Sequence, residues 1–400
     1  MTRAKPAIGY VIDRAGQRSQ TFISGEMREM LRQGQPISIV AVDPGDGAPL
    51  PDCPLVVLRD LERPQALHAA HHALWALRSP RRYLTFRRRL AVVDSELGIR
   101  PNRVPWRRLP YVASRLRRDG VRVLHAHFAW QGAAAALLLS DLTGWPWSVT
   151  LHANDFLARR RNLELKLADA DKLVTVCEYN ARYLREELGV TRDLHLIVCG
   201  VELPPLGAAG QKRWHIVSVG RLVEKKGFDL LLDAVAKLAP SHPDLRVRIV
   251  GDGPLLEALL AQRDRLGLTD VVDLSGGAEH EQVLETIAAA EVFCLAARIA
   301  ADGDRDSMPV VVKEAMARGV PVVGTDVVGM PEMVDGQVGR LVPAEDAAAL
   351  AAALGELLDA DVSTRAALGA AGRRRVEERF TLSGETAKLR RLLLGDEVAP

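Results

Sequence analysis

The stretch RWHIVSVGRLVEKKGFDLLLDAVAKL (213–238) reads as a strand over 213–220, a basic turn, and a helix over 227–238. Downstream, DLRVRIVGDG (244–253) reads as a strand running into a turn, and VVDLSG (271–276), EVFCLA (291–296) and VPVVGT (320–325) as strands separated by helices. A helical tail covers roughly 345–394. Upstream, AIGYVI (7–12), PISIVAV (36–42), RVLHAHF (122–128), WSVTLH (147–152), KLVTV (172–176) and LHLIV (194–198) read as strands. Helix-like stretches lie between them, such as TFISGEMREMLRQG (21–34), which stops at Gly34 as helices often do. This alternation predicts parallel sheets covered by helices on both faces.

The alternation breaks once. CGVELPPLGAAGQ (199–211) is rich in Gly and Pro, lacks periodicity, and reads as a linker. The expected organisation is therefore two α/β units, residues 1–205 and 206–379, with a cleft between their sheets. No internal repeat relates them. Ligands of open α/β sheets bind outside the carboxyl ends of the strands, so functional residues are expected just after strands.

Composition narrows the classes. The 400 residues are 48% hydrophobic, and the charges nearly cancel at +2, which argues against a dedicated nucleic-acid binder. The opening MTRAKPAIGYVIDRAGQRS does not read as a secretory signal, and no apolar run is long enough to span a membrane. A cytoplasmic protein, at most resting on the inner face of a membrane, is expected. Cys53, Cys177, Cys199 and Cys294 have no zinc-type spacing and read as scattered reduced thiols.

The densest chemistry lies in DGDRDSMPVVVKEAMARGVPVVGTDVVGMPEMV (302–334). Pro309 suits the first turn of a helix that runs to Gly319. A helix N-terminus offers free N–H groups and partial positive charge to a phosphate or a sugar hydroxyl, and Ser307, Met308, Pro309 and Val310 lie at that mouth. Asp306 precedes the helix and Glu314 lies within it; one carboxylate can meet a ligand at the mouth, the other a ribose diol beside it. The plainer alternative is a capping residue and a surface charge. Arg221 and Lys226, between a strand and a helix, match a diphosphate that must leave with its charge neutralised, or else form a solvated basic turn. Lys225 reads as a bystander. Gly251 and Gly253 allow a tight turn close to a ligand. No required metal is expected from the sequence.

The first half is less explicit. His125 and His127 share one face of a strand end, as structural imidazoles or ligand contacts. His152 and Asp155 follow the next strand and could line an acceptor site. GQRSQTFISGEM (16–27) is not a dinucleotide loop; Gly16 and Ser19 there are candidates for facing a ligand. Finally Arg81, Arg82, Arg87, Arg88, Arg89, Arg107, Arg108, Arg115, Arg117 and Arg118, interleaved with Leu, Tyr, Phe and Trp, suit anionic lipid headgroups, or form a solvated face.

DRDSMPVVVKEAMARGVPVV resembles the signature segment of the family-4 retaining glycosyltransferases, and VSVGRLVEKKGFDLLLDAV (217–235) and VGDGPLLEAL (250–259) agree with it. TLHANDF (150–156) and QTFI (20–23) resemble segments of the exopolysaccharide members, the group that also makes colanic acid. The resemblance implies the GT-B fold, two Rossmann-like domains facing across a cleft, with the last helix, about 380–400, packing back on the first domain. It implies a retaining hexosyltransferase acting in cell-surface polysaccharide synthesis. The donor would be a UDP- or GDP-sugar and the acceptor a glycan or a lipid-linked sugar; no further cofactor is implied. By the resemblance Arg221 and Lys226 grip the donor diphosphate, Glu314 holds the ribose, and His127 faces the transferred sugar, with His125 possible in its place. Asp306 stands where Glu is usual, near that sugar. The alternatives are a non-catalytic nucleotide-sugar-binding scaffold and a sugar-nucleotide epimerase.

Overall fold

A computed structural model describes residues 5–96, 105–158, 163–205 and 212–395. The chain divides into two compact units: Met1–Val176 with Ala181–Val198 and Glu385–Pro400, and Cys177–Asn180 with Cys199–Gly384. Each is a parallel sheet flanked by helices. Part of the 199–211 linker, residues 206–211, and the last five residues of the expected terminal helix lie outside the described residues.

The first unit holds strands β1 (Ala7–Ala15), β2 (Ile37–Pro44), β3 (Leu55–Val57), β4 (Val121–His127), β5 (Trp147–Leu151), β6 (Lys172–Thr175) and β7 (Leu194–Leu196). Their order across the sheet is β3-β2-β1-β4-β5-β6-β7. Side chains of β1 alternate between two cores. Ile8, Tyr10 and Ile12 pack with Ile23, Met27 and Met30 of the helix Thr21–Arg32 and with Leu389 and Leu393. Ala7 and Val11 face the other side, with the Ala- and Leu-rich helix Gln131–Thr143. The helix Thr21–Arg32 ends where Gly34 takes φ +68°, which lets Gly34 and Gln35 donate back to Leu31 and Met30.

The second unit holds β8 (Trp214–Val219), β9 (Val247–Val250), β10 (Val272–Leu274), β11 (Ala290–Leu295), β12 (Val322–Thr325) and β13 (Gly339–Val342), in the order β10-β9-β8-β11-β12-β13. Both sheets thus run outward from a central pair whose connections go to opposite sides, β1/β4 and β8/β11. That reversal is the topological switch point of a Rossmann-like sheet, where the loops after the two strands part and leave room for a ligand. The sequence reading lacked the edge strands β3 and β13. Among the described residues, no helix is long and apolar enough to cross a membrane.

Candidate functional site

In the second unit the loops after β8 and β11 converge on one charged cluster. After β8, Gly220 and Arg221 lead into a single 3-10 turn, Glu224–Lys226. Gly227 closes that turn at φ +64°, with its Cα so near Ala296 that a Cβ would meet the Ala296 carbonyl at 1.8 Å. This approach seats Lys226 beside the chain leaving β11. Its aliphatic stem lies over Gly220, 3.3 Å from where a Cβ would stand. The Lys226 Nζ is ion-paired with Asp306. Lys225, read as a bystander from sequence, is a full member: its Nζ reaches Asp304 at 3.1 Å and Asp306 at 3.2 Å. Sequence alone could not show this, because the turn is what points two consecutive lysines the same way. Burial would push the Asp306 carboxyl up, but Lys226 and Lys225 outweigh it and hold it at about 2. Burial would likewise lower Lys225, and Asp306 and Asp304 reverse that and raise it. Asp306 is therefore a carboxylate at any working pH. Arg221 is exposed, and its guanidinium has no ion pair among the described residues.

Gly251 and Gly253 pack against the segment that carries Arg221. A Cβ on Gly251 would meet the Gly220 carbonyl at 1.9 Å, and one on Gly253 the Leu222 carbonyl at 2.6 Å. The turn after β9 packs directly on the backbone that carries Arg221, and Leu222 donates to Asp252 at 2.7 Å.

The helix Val310–Ala317 follows Ser307, Met308 and Pro309. Neither Asp306 nor Ser307 caps it; Ser307 Oγ instead accepts from Asn180 Nδ2 at 2.8 Å, and the Ser307 carbonyl accepts from Gly329. Ser307, Met308 and Pro309 are buried, Val310 half-buried. Glu314 is buried inside the helix, its Oε1 3.6 Å from His280 Nε2. Burial raises the Glu314 pKa, and His280 and Arg318 offset part of that. His280, exposed at the start of its own helix, was not singled out from sequence.

The first unit carries a second cluster of opposite character at the ends of β1 and β4. Glu26, from the helix Thr21–Arg32, accepts on one oxygen from Tyr10 Oη at 2.7 Å and from His127 Nε2 at 3.1 Å. His127 Nδ1 stands 3.4 Å from His152 Nε2. His125 lies edge-on to His127, with its ring nitrogens 2.8 Å from Ser148 Oγ and 3.2 Å from Thr150 Oγ1. Burial drives the pKa of His125 and of His152 well below the usual histidine value, so both rings are neutral. Glu26, His125 and His127 bring ligating atoms within 4.8 Å of one another. Every ring nitrogen of those two histidines has a hydrogen-bond partner within the network.

Asp155 is the second residue of the π-helical turn Asn154–Ala158 and accepts from the His152 amide at 2.8 Å. Burial pushes its carboxyl up to about 8, against that amide and the nearby Lys166. Asp13, at the end of β1, accepts from the Gly132 amide at 2.7 Å and is pushed up to about 6 by burial. Gly16 takes φ +67° and packs on Ala48, whose carbonyl a Cβ would meet at 2.0 Å. Ser19 is exposed in the 3-10 turn Arg18–Gln20, whose first amide is held by Asp46.

Of the arginine-rich region, residues 97–104 lie outside the described residues. Arg89 is not part of an open basic face: it pairs with Asp141 and Asp169. Arg108 donates to the Leu58 and Arg59 carbonyls. Arg115 is half-buried. Arg81, Arg82, Arg87, Arg88, Arg107, Arg117 and Arg118 are exposed, and so are Leu77 at 85% and Leu84 at 50%.

The profile of the family described as Glycosyl transferases group 1 matches residues 206–375, and that of Glycosyltransferase Family 4 matches residues 23–204. A GDP-mannose-dependent alpha-(1-6)-phosphatidylinositol monomannoside mannosyltransferase of Mycolicibacterium smegmatis is 32% identical over 319 residues, 72% of this chain and 81% of that protein. A putative colanic acid biosynthesis glycosyltransferase of Salmonella typhimurium is 36% identical over 179 residues, so that less than half of each, 44%, is matched. Among solved structures, sucrose-phosphate synthase from Thermosynechococcus elongatus superposes with a TM-score of 0.71 at 20% identity, over 97% of this chain and 98% of that one. Anabaena Alr3699/HepE in complex with UDP and glucose gives 0.68 at 16%, over 97% and 99%. These two similarities speak to fold, and the fold is GT-B.

Proposed function

Because the chain belongs to the family-4 glycosyltransferases, we propose that it moves a hexosyl unit from a UDP- or GDP-sugar to a glycan or lipid-linked acceptor in the synthesis of a cell-surface polysaccharide. The observation that carries this reading is the cluster at the β8/β11 switch point: Arg221 exposed without an ion pair among the described residues, Lys226 seated by Gly227, and Glu314 buried one helix away. A departing nucleoside diphosphate gains charge as the glycosidic bond breaks. Preorganised cations at that point stabilise the transition state more than the ground state, and one such donor is worth about 10²–10³ in rate. Glu314 suits the ribose diol: a buried carboxylate accepts two hydroxyl hydrogen bonds and gains most where water is excluded. Asp306 would turn to the transferred sugar once the diphosphate takes over its lysines. In this reading residues 206–379 hold the donor and residues 1–205 the acceptor, with His127 toward the transferred sugar and His152 and Asp155 lining the acceptor site. Transfer retains the donor's anomeric configuration and needs no metal, since lysine and arginine supply the positive charge.

A thermal-shift panel with UDP-, GDP- and ADP-sugars, on the wild type and on Glu314→Ala, tests this. A ligand at a hundred times its dissociation constant adds about 2.7 kcal/mol to the folded state. One nucleotide class should stabilise the wild type and lose its effect in the variant. No shift with any of them, on folded protein, would sink the donor reading. Leu77 and Leu84 beside Arg81, Arg82, Arg87 and Arg88 favour peripheral contact with anionic lipid, at about 1 kcal/mol per cation near the surface. Co-sedimentation with phosphatidylserine vesicles, if unchanged in Arg81→Glu/Arg88→Glu, would remove that contact.

A further inference from the structure

Glu26 is out of place for a structural residue. It lies on the same helix face as Ile23 and Met30, both buried, so the helix turns a carboxylate toward the apolar core. One of its oxygens takes two donors at once, the Tyr10 hydroxyl and His127 Nε2. Tyr10 is fully buried and remains a phenol: burial first, and Glu26 after it, raise its pKa well above the usual value.

The consequence lies in the histidines. An ionised carboxylate only accepts, so Nε2 of His127 carries a proton. Across from Nδ1 of His127, at 3.4 Å, stands His152 Nε2. A neutral His127 with its proton on Nε2 accepts at Nδ1, which requires His152 to carry its own proton on Nε2 and leaves Nδ1 of His152 as an acceptor. His125 stands outside this chain, its nitrogens held by Ser148 and Thr150. Tyr10, edge-on to His125 and stacked on His127, blocks the other approach. The His152 ring is held between Phe128, at 4.3 Å, and Phe22, at 5.3 Å. Phe128 takes φ +66°, a strained conformation for an aromatic residue, directly after His127. The two members with the most solvent access are the ends of the chain: Glu26, 15% exposed, and His152, 8%.

We propose that Glu26 is a positioning residue that imposes one tautomer on His127 and, through it, on His152, so that His152 Nδ1 is presented as a hydrogen-bond acceptor to the hydroxyl that receives the sugar. The inference rests on the reading of residues 1–205 as the acceptor half. It differs from a satisfied core network in assigning every proton in the chain to one side.

The test uses the full-length chain with ¹⁵N-labelled histidine, in wild type and Glu26→Gln. Two-bond ¹⁵N–¹H spectra report which nitrogen of each ring is protonated. Wild type should show His127 and His152 each as the Nε2–H form. In Glu26→Gln, whose amide both donates and accepts, both rings should become mixtures. With UDP-glucose or GDP-mannose as donor and octyl β-glucoside as acceptor probe, release of UDP or GDP should fall at least tenfold in kcat, with KM for the donor changed less than twofold. Glu26→Asp, which keeps the charge, should hold the wild-type tautomers and recover part of the rate; it also decides the question should Glu26→Gln not fold. Wild-type tautomers persisting in Glu26→Gln would overturn the inference, whatever the rate does, and so would mixed tautomers in Glu26→Asp. A wild type that turns over neither donor refutes the proposed function instead, and the spectra still decide the role of Glu26.

Discussion

The two sheets share a strand order and a switch point, and the chemistry placed there is opposite. At β8/β11 the side chains are fully charged and matched, Lys225 and Lys226 against Asp304 and Asp306. At β1/β4 they are buried imidazoles, of which burial holds His125 and His152 neutral, beside the Glu26 carboxylate. The difference fits the ligands proposed for each. A diphosphate brings two or more negative charges, and a site for it must supply cations that tolerate the interval without ligand. An internal carboxylate does that, because a lysine pair left uncompensated in a partly buried place destabilises the fold. A sugar hydroxyl brings no charge, and a site for it needs acceptors of fixed orientation, which neutral rings locked by hydrogen bonds supply.

The sharpest way to break this comparison is to ask whether the first unit really keeps its acids and bases uncharged. Asp155 is the strongest case. Burial raises its carboxyl to about 8 from an ordinary value of 3.8. Between those values the folded chain holds a proton that the unfolded chain has released. Stability therefore falls as pH rises, by up to about 1.4 kcal/mol per pH unit. The neutral His125 and His152 act in the opposite direction, since their folded pKa values are depressed from 6.5, and they cost stability only as pH falls below that value. The window from pH 6.5 to 8 isolates Asp155. Wild type should lose about 2 kcal/mol of unfolding free energy across it. Asp155→Asn, whose carbonyl can still accept from the His152 amide, should lose almost none. Equal slopes in urea titrations at the two pH values would mean that Asp155 is ionised in the fold, and the contrast between the two units would weaken.

How much of this was legible in the sequence differs between the units for the same reason. Strand–helix alternation showed both sheets apart from β3 and β13, edge strands of three and four residues that carry too few side chains for a period to be read. Arg221, Lys226, Asp306 and Glu314 stand out because charges just after apolar runs are conspicuous. That Lys226 and Asp306, eighty positions apart, form one ion pair depends on β8 lying beside β11, a neighbour relation no local pattern encodes. Lys225 reads as a bystander in sequence, and it is the turn Glu224–Lys226 that brings it to Asp306 beside Lys226. Gly251 and Gly253 were recognisable as glycines under constraint, but their contact is the 220–222 backbone. Tyr10 and Glu26 were passed over because each sits inside an apolar periodic segment, where one polar atom reads as noise. A carboxylate on the stripe Ile23–Met27–Met30 was the available signal. The ambiguity between His125 and His127 was resolvable only by their partners: hydroxyls for the first, Glu26 and His152 for the second.

A smaller effect sharpens the other side of the comparison. If Asp306 is the internal counterion of the diphosphate site, it competes with the diphosphate for Lys226 and Lys225. Asp306→Asn removes the competitor and keeps the shape. Without ligand the variant should be less stable than wild type, because two partly buried ammonium groups lose an anion and Asp304 alone remains to Lys225. With free UDP or GDP the order should reverse: binding tightens about fivefold, the equivalent of roughly 1 kcal/mol for a partly exposed pair, and the thermal shift per added nucleotide is larger than in wild type. Transfer should nevertheless slow, since the same carboxylate is the one proposed to turn toward the sugar when the diphosphate arrives. Titration calorimetry with the nucleotide that wild type prefers separates these. Weaker binding in Asp306→Asn would show that the carboxylate organises the lysines for the diphosphate and does not occupy its place, and the charge matching at β8/β11 would then be preorganisation, as the hydrogen-bonded histidines are at β1/β4.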